Sequence, residues 1–293
     1  MVTTFAFDFG RMNPLLKGIL QANLSPEAWS WLEQEGKFAA DGNISRFNIS
    51  FVAMPRKTGK RSVEISESEA SALQSQRKHF TINEWSVDRV ARVWLLMQLD
   101  AREKDKYQTA IENLFLNAEM SELVALYSSL PVLAYPDLWI KRCAEGIRSN
   151  IGQVLEAVIC KNPFPAEYLD ESAWNQLVLK AIFTEKPVLD IIGLRERTNA
   201  NLAKSLSDYA HERWAAGREV NPLLWICVAP FLDDHNFSDI QRLLVNGTYT
   251  ERKAAALVCH ESNFGPAKRL LMESNLKEDV ESGKIAWTQI ASE

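Results

Sequence analysis

Two groups of cationic side chains could hold an anion. The first is Pro55-Arg56-Lys57-Thr58-Gly59-Lys60-Arg61, with four cations and a hydroxyl in seven residues. Arg56, Lys57, Lys60 and the Thr58 hydroxyl together could take up a phosphate or carboxylate through charge-assisted hydrogen bonds. The same segment also reads as a solvated basic turn. It is not a Walker loop, which needs Gly-x-x-x-x-Gly-Lys-Ser/Thr between a strand and a helix. The rest of the constellation that a penicillin-binding Lys-Thr-Gly box requires is not apparent.

The second group sits in residues 84–99. Val87, Val90, Ala91, Trp94, Leu95 and Met97 sweep round most of a helix, the pattern of a helix covered on several faces. Asp88, Arg89 and Arg92 are set into that wall, and enclosed charges need partners. Asp88 and Arg92 stand at i, i+4 and can pair on one face, whereas Arg89 points elsewhere and needs an external acceptor. Arg89, Arg92 and Arg252 complete the set of anion candidates.

A third stretch, Thr248–Ser262, opens with the capping box Thr248/Glu251. Its run Ala254–Ala256 permits close helix–helix approach. Glu261 falls at the helix C-terminus, where the dipole disfavours an anion, so a cationic partner is expected, Arg89 or Arg92. A solvated Glu261 is the alternative.

Other chemistry finds less support. The four histidines, His79, His211, His235 and His260, include no pair at i+2, i+3 or i+4. Cys143, Cys160, Cys227 and Cys259 are widely separated, each in a helical, mostly apolar context, and read as buried reduced thiols. No metal and no cofactor is therefore expected. No Ser-His-Asp arrangement, nucleophile elbow or dinucleotide fingerprint can be read, so no catalytic residue is assigned. Trp85, Trp214 and Trp225 could line a ligand pocket, although core packing is the commoner role of Trp at helical spacing. A net charge of −5 gives no electrostatic case for nucleic acid as a partner.

The elements that must position these groups are almost all helical. Apolar periodicity predicts helices over 11–22 and 26–40, the second started by Ser25 and Pro26. Further helices are predicted over 66–76, 84–99, 103–117, 120–130, 136–148, 151–160, 171–184, 198–216, 220–231, 236–245, 249–260 and 264–273. One departure is expected: Phe47, Ile49, Phe51 and Ala53 alternate with polar residues, then Val63 and Ile65 alternate again. That period of two predicts an irregular β-hairpin or extended segment over 46–65, with the basic residues on its turn. Short connections between the helices imply antiparallel neighbours. Residues 238–245 and 249–260 have a two-helix rhythm like a degenerate HEAT-type repeat. The expectation is one all-α domain over 1–293, a right-handed helical array or α-solenoid. A chain of 293 residues can bury a substantial core. The apolar stretch Val220–Leu232 is too short to span a bilayer and contains Pro222 and Pro230. Asp8 and Arg11 come early with no signal-peptide apolar region, so a soluble, cytoplasmic protein is expected.

Several of these stretches together resemble the EboA family of metabolite traffic proteins. They are Met54–Lys60, Trp85-Ser86-Val87-Asp88-Arg89-Val90-Ala91-Arg92, Tyr209–Arg218 with Leu224-Trp225, and Glu251–Ala256 ending in Glu261-Ser262. They occur in a consistent order over most of the chain. The resemblance implies a bacterial secondary-metabolism setting, beside proteins that look like a UbiA-type prenyltransferase, a sugar-phosphate cyclase, a TatD-like hydrolase, a xylose-isomerase-like barrel and a phosphatase. It also implies movement of a precursor from the cytoplasm towards the periplasm. The partners implied are the metabolite and other proteins of such a cluster, including a membrane prenyltransferase that would bring the chain to the inner membrane.

Three readings follow. In the first, a non-catalytic helical protein binds the metabolite, docks partners, or does both. In the second, an adaptor recruits biosynthetic enzymes to the inner membrane. In the third, an enzyme acts on a phosphorylated or prenylated metabolite, with the same basic groups stabilising developing negative charge.

Overall fold

The structure is a computed structural model and describes residues 4–292. It contains 17 α-helices and no strand among the described residues. They gather into two compact units, one ending at Asp170 and one starting at Glu171.

The first unit holds α1 (Phe9–Asn23), α2 (Pro26–Ala40), α3 (Ile44–Thr58), α4 (Glu67–Gln76), α5 (Val87–Met97), α6 (Lys104–Asn117), α7 (Met120–Ser129), α8 (Ile140–Ile147), α9 (Gly152–Ile159) and α10 (Phe164–Tyr168). Helix α5 is its centre, with α1, α2, α3 and α7 packed on it. Every residue of α5 except Arg89 is buried, as its all-round apolar pattern requires. Local signals set the flanking helices: Ser25 Oγ accepts from Ala28 N before Pro26, and Ser66 with Glu69 forms a capping box at α4. Gly36 of α2 lets Trp94 of α5 come close. A Cβ there would lie 2.7 Å from Trp94 Cη2.

The expected hairpin is instead α3. Phe47, Phe51 and Met54, with Ser50, also fall at i, i+4 and i+7, and these are the residues buried. Ile49, which a strand would have placed beside them, is 64% exposed. Two anchors favour the helix. Asn43 caps it by accepting from Arg46 N, and Arg46 and Ser50, one turn apart, both hydrogen-bond the buried Glu35 of α2. Val63 and Ile65 form no second strand; the segment makes only an isolated bridge between Ser62 and Ser86. The basic residues accordingly end a helix, and Gly59 closes it with φ 77°.

The second unit holds α11 (Glu171–Phe183), α12 (Ala200–Ala215), α13 (Phe237–Asn246), α14 (Tyr249–Glu261), α15 (Gly265–Met272), α16 (Lys277–Glu281) and α17 (Trp287–Ile290). Helix α14 starts at the Thr248/Glu251 capping box and buries Ala254, Ala255 and Ala256 completely against its neighbours. The helix expected over 220–231 is two 3₁₀ turns, Pro222–Ile226 and Ala229–Phe231, each with a proline (Pro222, Pro230) in its first two positions that can donate no backbone hydrogen bond.

Candidate functional site

Helix α5 brings two arginines into the first unit, and they are bound differently. Arg92 is 1% exposed, donates from Nη1 to Asp88 Oδ2 at 2.7 Å, and has Glu122 at 4.0 Å. Burial pulls its pKa down, opposed by Asp88 and Glu122. Its Nε donates to the Phe51 carbonyl of α3 at 2.9 Å. That carbonyl would ordinarily face the N–H four residues on, but residue 55 is proline and has none. Arg92 therefore completes both a buried ion pair and a helix interrupted by Pro55. These bonds occupy it structurally.

Arg89 points elsewhere on the helix. Its guanidinium lies over Trp85, 4.0 Å from the ring centroid, and its Nε donates to Ser128 Oγ of α7 at 2.8 Å. The Ser128 hydroxyl donates its own hydrogen bond to the Val124 carbonyl. Asp88 acts on Arg89 through space but makes no hydrogen bond with it; burial dominates and lowers its pKa to about 10. The other enclosed arginines of this unit differ. Arg77 grips Glu167 with both terminal nitrogens, and Arg142 bonds Glu112 and Glu145. Nη1 and Nη2 of Arg89 have no hydrogen-bond partner among the described residues, yet are not sealed from solvent.

The surroundings of Arg89 are built by loops. Trp85 is 8% exposed, wedged edge-on against Phe80, so it serves as the bed for Arg89 and not as an open ligand platform. Val63 N donates to the Trp85 carbonyl and Val87 N to the Arg61 carbonyl, which runs the segment after α3 along the start of α5. Ser86, the N-cap of α5, makes no side-chain cap bond. Glu84 and Lys161, both at positive φ (65° and 52°), pair at 2.8 Å next to this end.

The remaining candidates are scattered. Arg56, Lys57 and Lys60 are exposed, and no hydrogen bond or ion pair joins them to Arg89. Lys57 lies 5.8 Å from the Trp31 ring, and Thr58 Oγ1 donates to the Met54 carbonyl, so its proton is used within the helix. In the second unit Arg252 reaches Asn275 at 3.3 Å while its Nε is buried without a partner. Glu261 has neither expected partner. Arg195 holds its carboxylate with bonds of 2.9 and 3.1 Å, and Trp287 Nε1 adds one of 2.8 Å. Trp214 and Trp225 stack at 5.9 Å, Arg242 covers Trp214 at 3.6 Å, and His211 pairs with Asp239 at 2.8 Å. Sequence spacing could reveal neither Arg195 nor Ser128, because both reach their partners from distant helices or loops.

Two clefts lie at the other end of α5, of about 530 and 720 Å³, and share Leu99 and Asp100. None of the anion candidates lines them.

Residues 12–229 match a family model described as metabolite traffic protein EboA. The chain belongs to the EboA family. The match covers all the anion candidates of the first unit, with Trp214 and Trp225, and stops before Arg252 and Glu261. Metabolite traffic is thus the general kind of role this EboA-family chain carries. No curated protein and no solved structure matches the chain. Among the described residues no helix is long and apolar enough to cross a membrane.

Proposed function

We propose that this EboA-family protein carries a small metabolite by its anionic group, a phosphate or carboxylate, received by Arg89 at the N-terminal end of α5. It moves the molecule on towards the periplasm without transforming it. The supporting observation is the unmatched guanidinium. Arg89 is taken largely out of water and stacked on Trp85, yet both terminal nitrogens lack the carboxylate that every comparable arginine of the unit has. A planar fork with two free donors suits a bidentate oxyanion. The uncapped start of α5 adds positive dipole at the same end. Arg56, Lys57 and Lys60, exposed on the neighbouring chain segment, raise the local concentration of anions without touching the bound one.

The test is native mass spectrometry of the protein purified gently from cells that carry its neighbouring genes, comparing the wild type with Arg89→Gln. The wild type should hold a stoichiometric small anion. The variant, folded by circular dichroism, should lose 10- to 100-fold in affinity, the worth of a charged hydrogen bond at about 1.5–3 kcal/mol. Equal occupancy in both proteins, or a wild type that holds only other proteins, would overturn the reading.

A further inference from the structure

Arg89 sits between two walls that one ion pair joins. The first wall is the loop before α5, where Trp85 lies under the guanidinium and Glu84 directly precedes Trp85. The second is the end of α7, where Ser128 accepts from Arg89 Nε. The carbonyl next to it, that of Tyr127, accepts from Asn162 Nδ2 at 3.1 Å. Asn162 is buried and fixed further, donating to the Ala157 carbonyl and accepting from Phe164 N. Lys161 directly precedes Asn162 and meets Glu84 at 2.8 Å. The path from Arg89 through Trp85, Glu84, Lys161, Asn162, Tyr127 and Ser128 thus returns to Arg89, and Glu84–Lys161 is its exposed link.

Both residues of that link have left-handed backbones, with φ of 65° and 52°, which is uncommon outside glycine. An exposed ion pair contributes too little to impose them. The buried neighbours Trp85 and Asn162 hold the backbone, so the positions of Glu84 and Lys161 do not depend on their pairing. Glu84 is 76% exposed, and the pair can part at little cost.

The two terminal nitrogens of Arg89 can hold two oxygens of one anion. A carboxylate then has nothing further to offer Lys161. A phosphate monoester has a third oxygen and, above its second pKa of about 6, close to a second charge. We propose that the Arg89 site takes a phosphate monoester, and that Lys161 is its second cation, held by Glu84 until the phosphate draws it across. The exchange is electrically neutral: Lys161 trades the Glu84 carboxylate for a phosphate oxygen, and Glu84 returns to water. This rests on the Arg89 reading and narrows it from small anions in general to phosphate monoesters.

Isothermal titration at pH 8 with phenyl phosphate and with benzoate, which share one apolar body, tests it. The informative variant combines Glu84→Gln with Lys161→Gln, which removes the pair without altering net charge. It should lower the affinity for phenyl phosphate about tenfold and leave that for benzoate unchanged. Glu84→Gln alone should raise the affinity for phenyl phosphate several-fold, because Lys161 loses a competing acceptor. Arg89→Gln should weaken both probes. If the double variant keeps the wild-type ratio of the two affinities while Arg89→Gln weakens both, the role of Lys161 is overturned and Arg89 remains an anion site. Unchanged binding in Arg89→Gln, or no binding of either probe to the wild type, would overturn both readings.

Discussion

Replacing Arg92 by Met should cost different amounts depending on residue 55. In the native sequence the change removes the partner of Asp88, 3% exposed, and the donor to the Phe51 carbonyl. The first loss leaves a buried charge uncompensated, about 3–5 kcal/mol. The second leaves a buried carbonyl unsatisfied, about 1–3 kcal/mol. Pro55→Ala restores an N–H four residues after Phe51, which can close the ordinary helical bond. In that background Arg92→Met incurs only the first loss. The cycle Pro55→Ala by Arg92→Met should therefore show a coupling of about 1–3 kcal/mol, with the Asp88 contribution cancelling. Hydrogen exchange of peptides covering 44–58 and 87–97, read by mass spectrometry, measures the free energy where it matters. A coupling below about 0.5 kcal/mol, the usual error of additivity, would refute the link between Pro55 and Arg92.

Gly36→Ala should destabilise the first unit by up to about 2 kcal/mol, because overpacking against Trp94 outweighs the gain in helix propensity of about 1 kcal/mol. Gly18→Ala, with open space around it, should stabilise by about 0.5–1 kcal/mol; thermal unfolding that moved both variants the same way would contradict the packing. Glu35 feels burial raising its pKa, but hydrogen bonds from Arg46 and Ser50 and the charge of Lys57 bring it below the usual value of 4.5. Its contribution to stability is present above about pH 4.5 and is lost as pH falls through the lowered value, so Glu35→Gln should flatten the acid limb of a melting curve series between pH 3 and 6. Burial pushes the thiols of Cys143 and Cys259 up to about 12 and that of Cys227 to about 11, whereas Cys160 is half-buried. Titration with a disulfide reagent at pH 8 should label one thiol in the native protein and four after unfolding. Two or more fast native thiols would count against that burial.

The segment 44–58 shows where one-dimensional pattern loses its force. Phe47, Ile49, Phe51 and Ala53 satisfy a period of two, while Phe47, Ser50, Phe51 and Met54 satisfy a helix. Both fit, and only a neighbour can choose. Glu35, on the helix before, takes the hydrogen bonds of Arg46 and Ser50 and selects the helix. Glu261 teaches the same lesson. Its misfit with the helix dipole is local and legible, whereas its partner Arg195 lies 66 residues away.

Interactions that close within one or two turns could thus be read directly from residue order. They include the Thr248/Glu251 capping box, the Asp88–Arg92 pair at i, i+4, and the all-round apolar face that buries α5. Family membership was legible for a related reason, since the ordered set of short stretches survives without any knowledge of how they pack. Packing alone settled which charges remain unmatched. Arg89 and Arg92 look alike in sequence, but one meets Asp88 and the carbonyl left open by Pro55, while the other meets a serine hydroxyl and a tryptophan face. Hydrogen bonding acts over about 3 Å. Residues 39 and 41 positions apart come within that range only once the helices have docked.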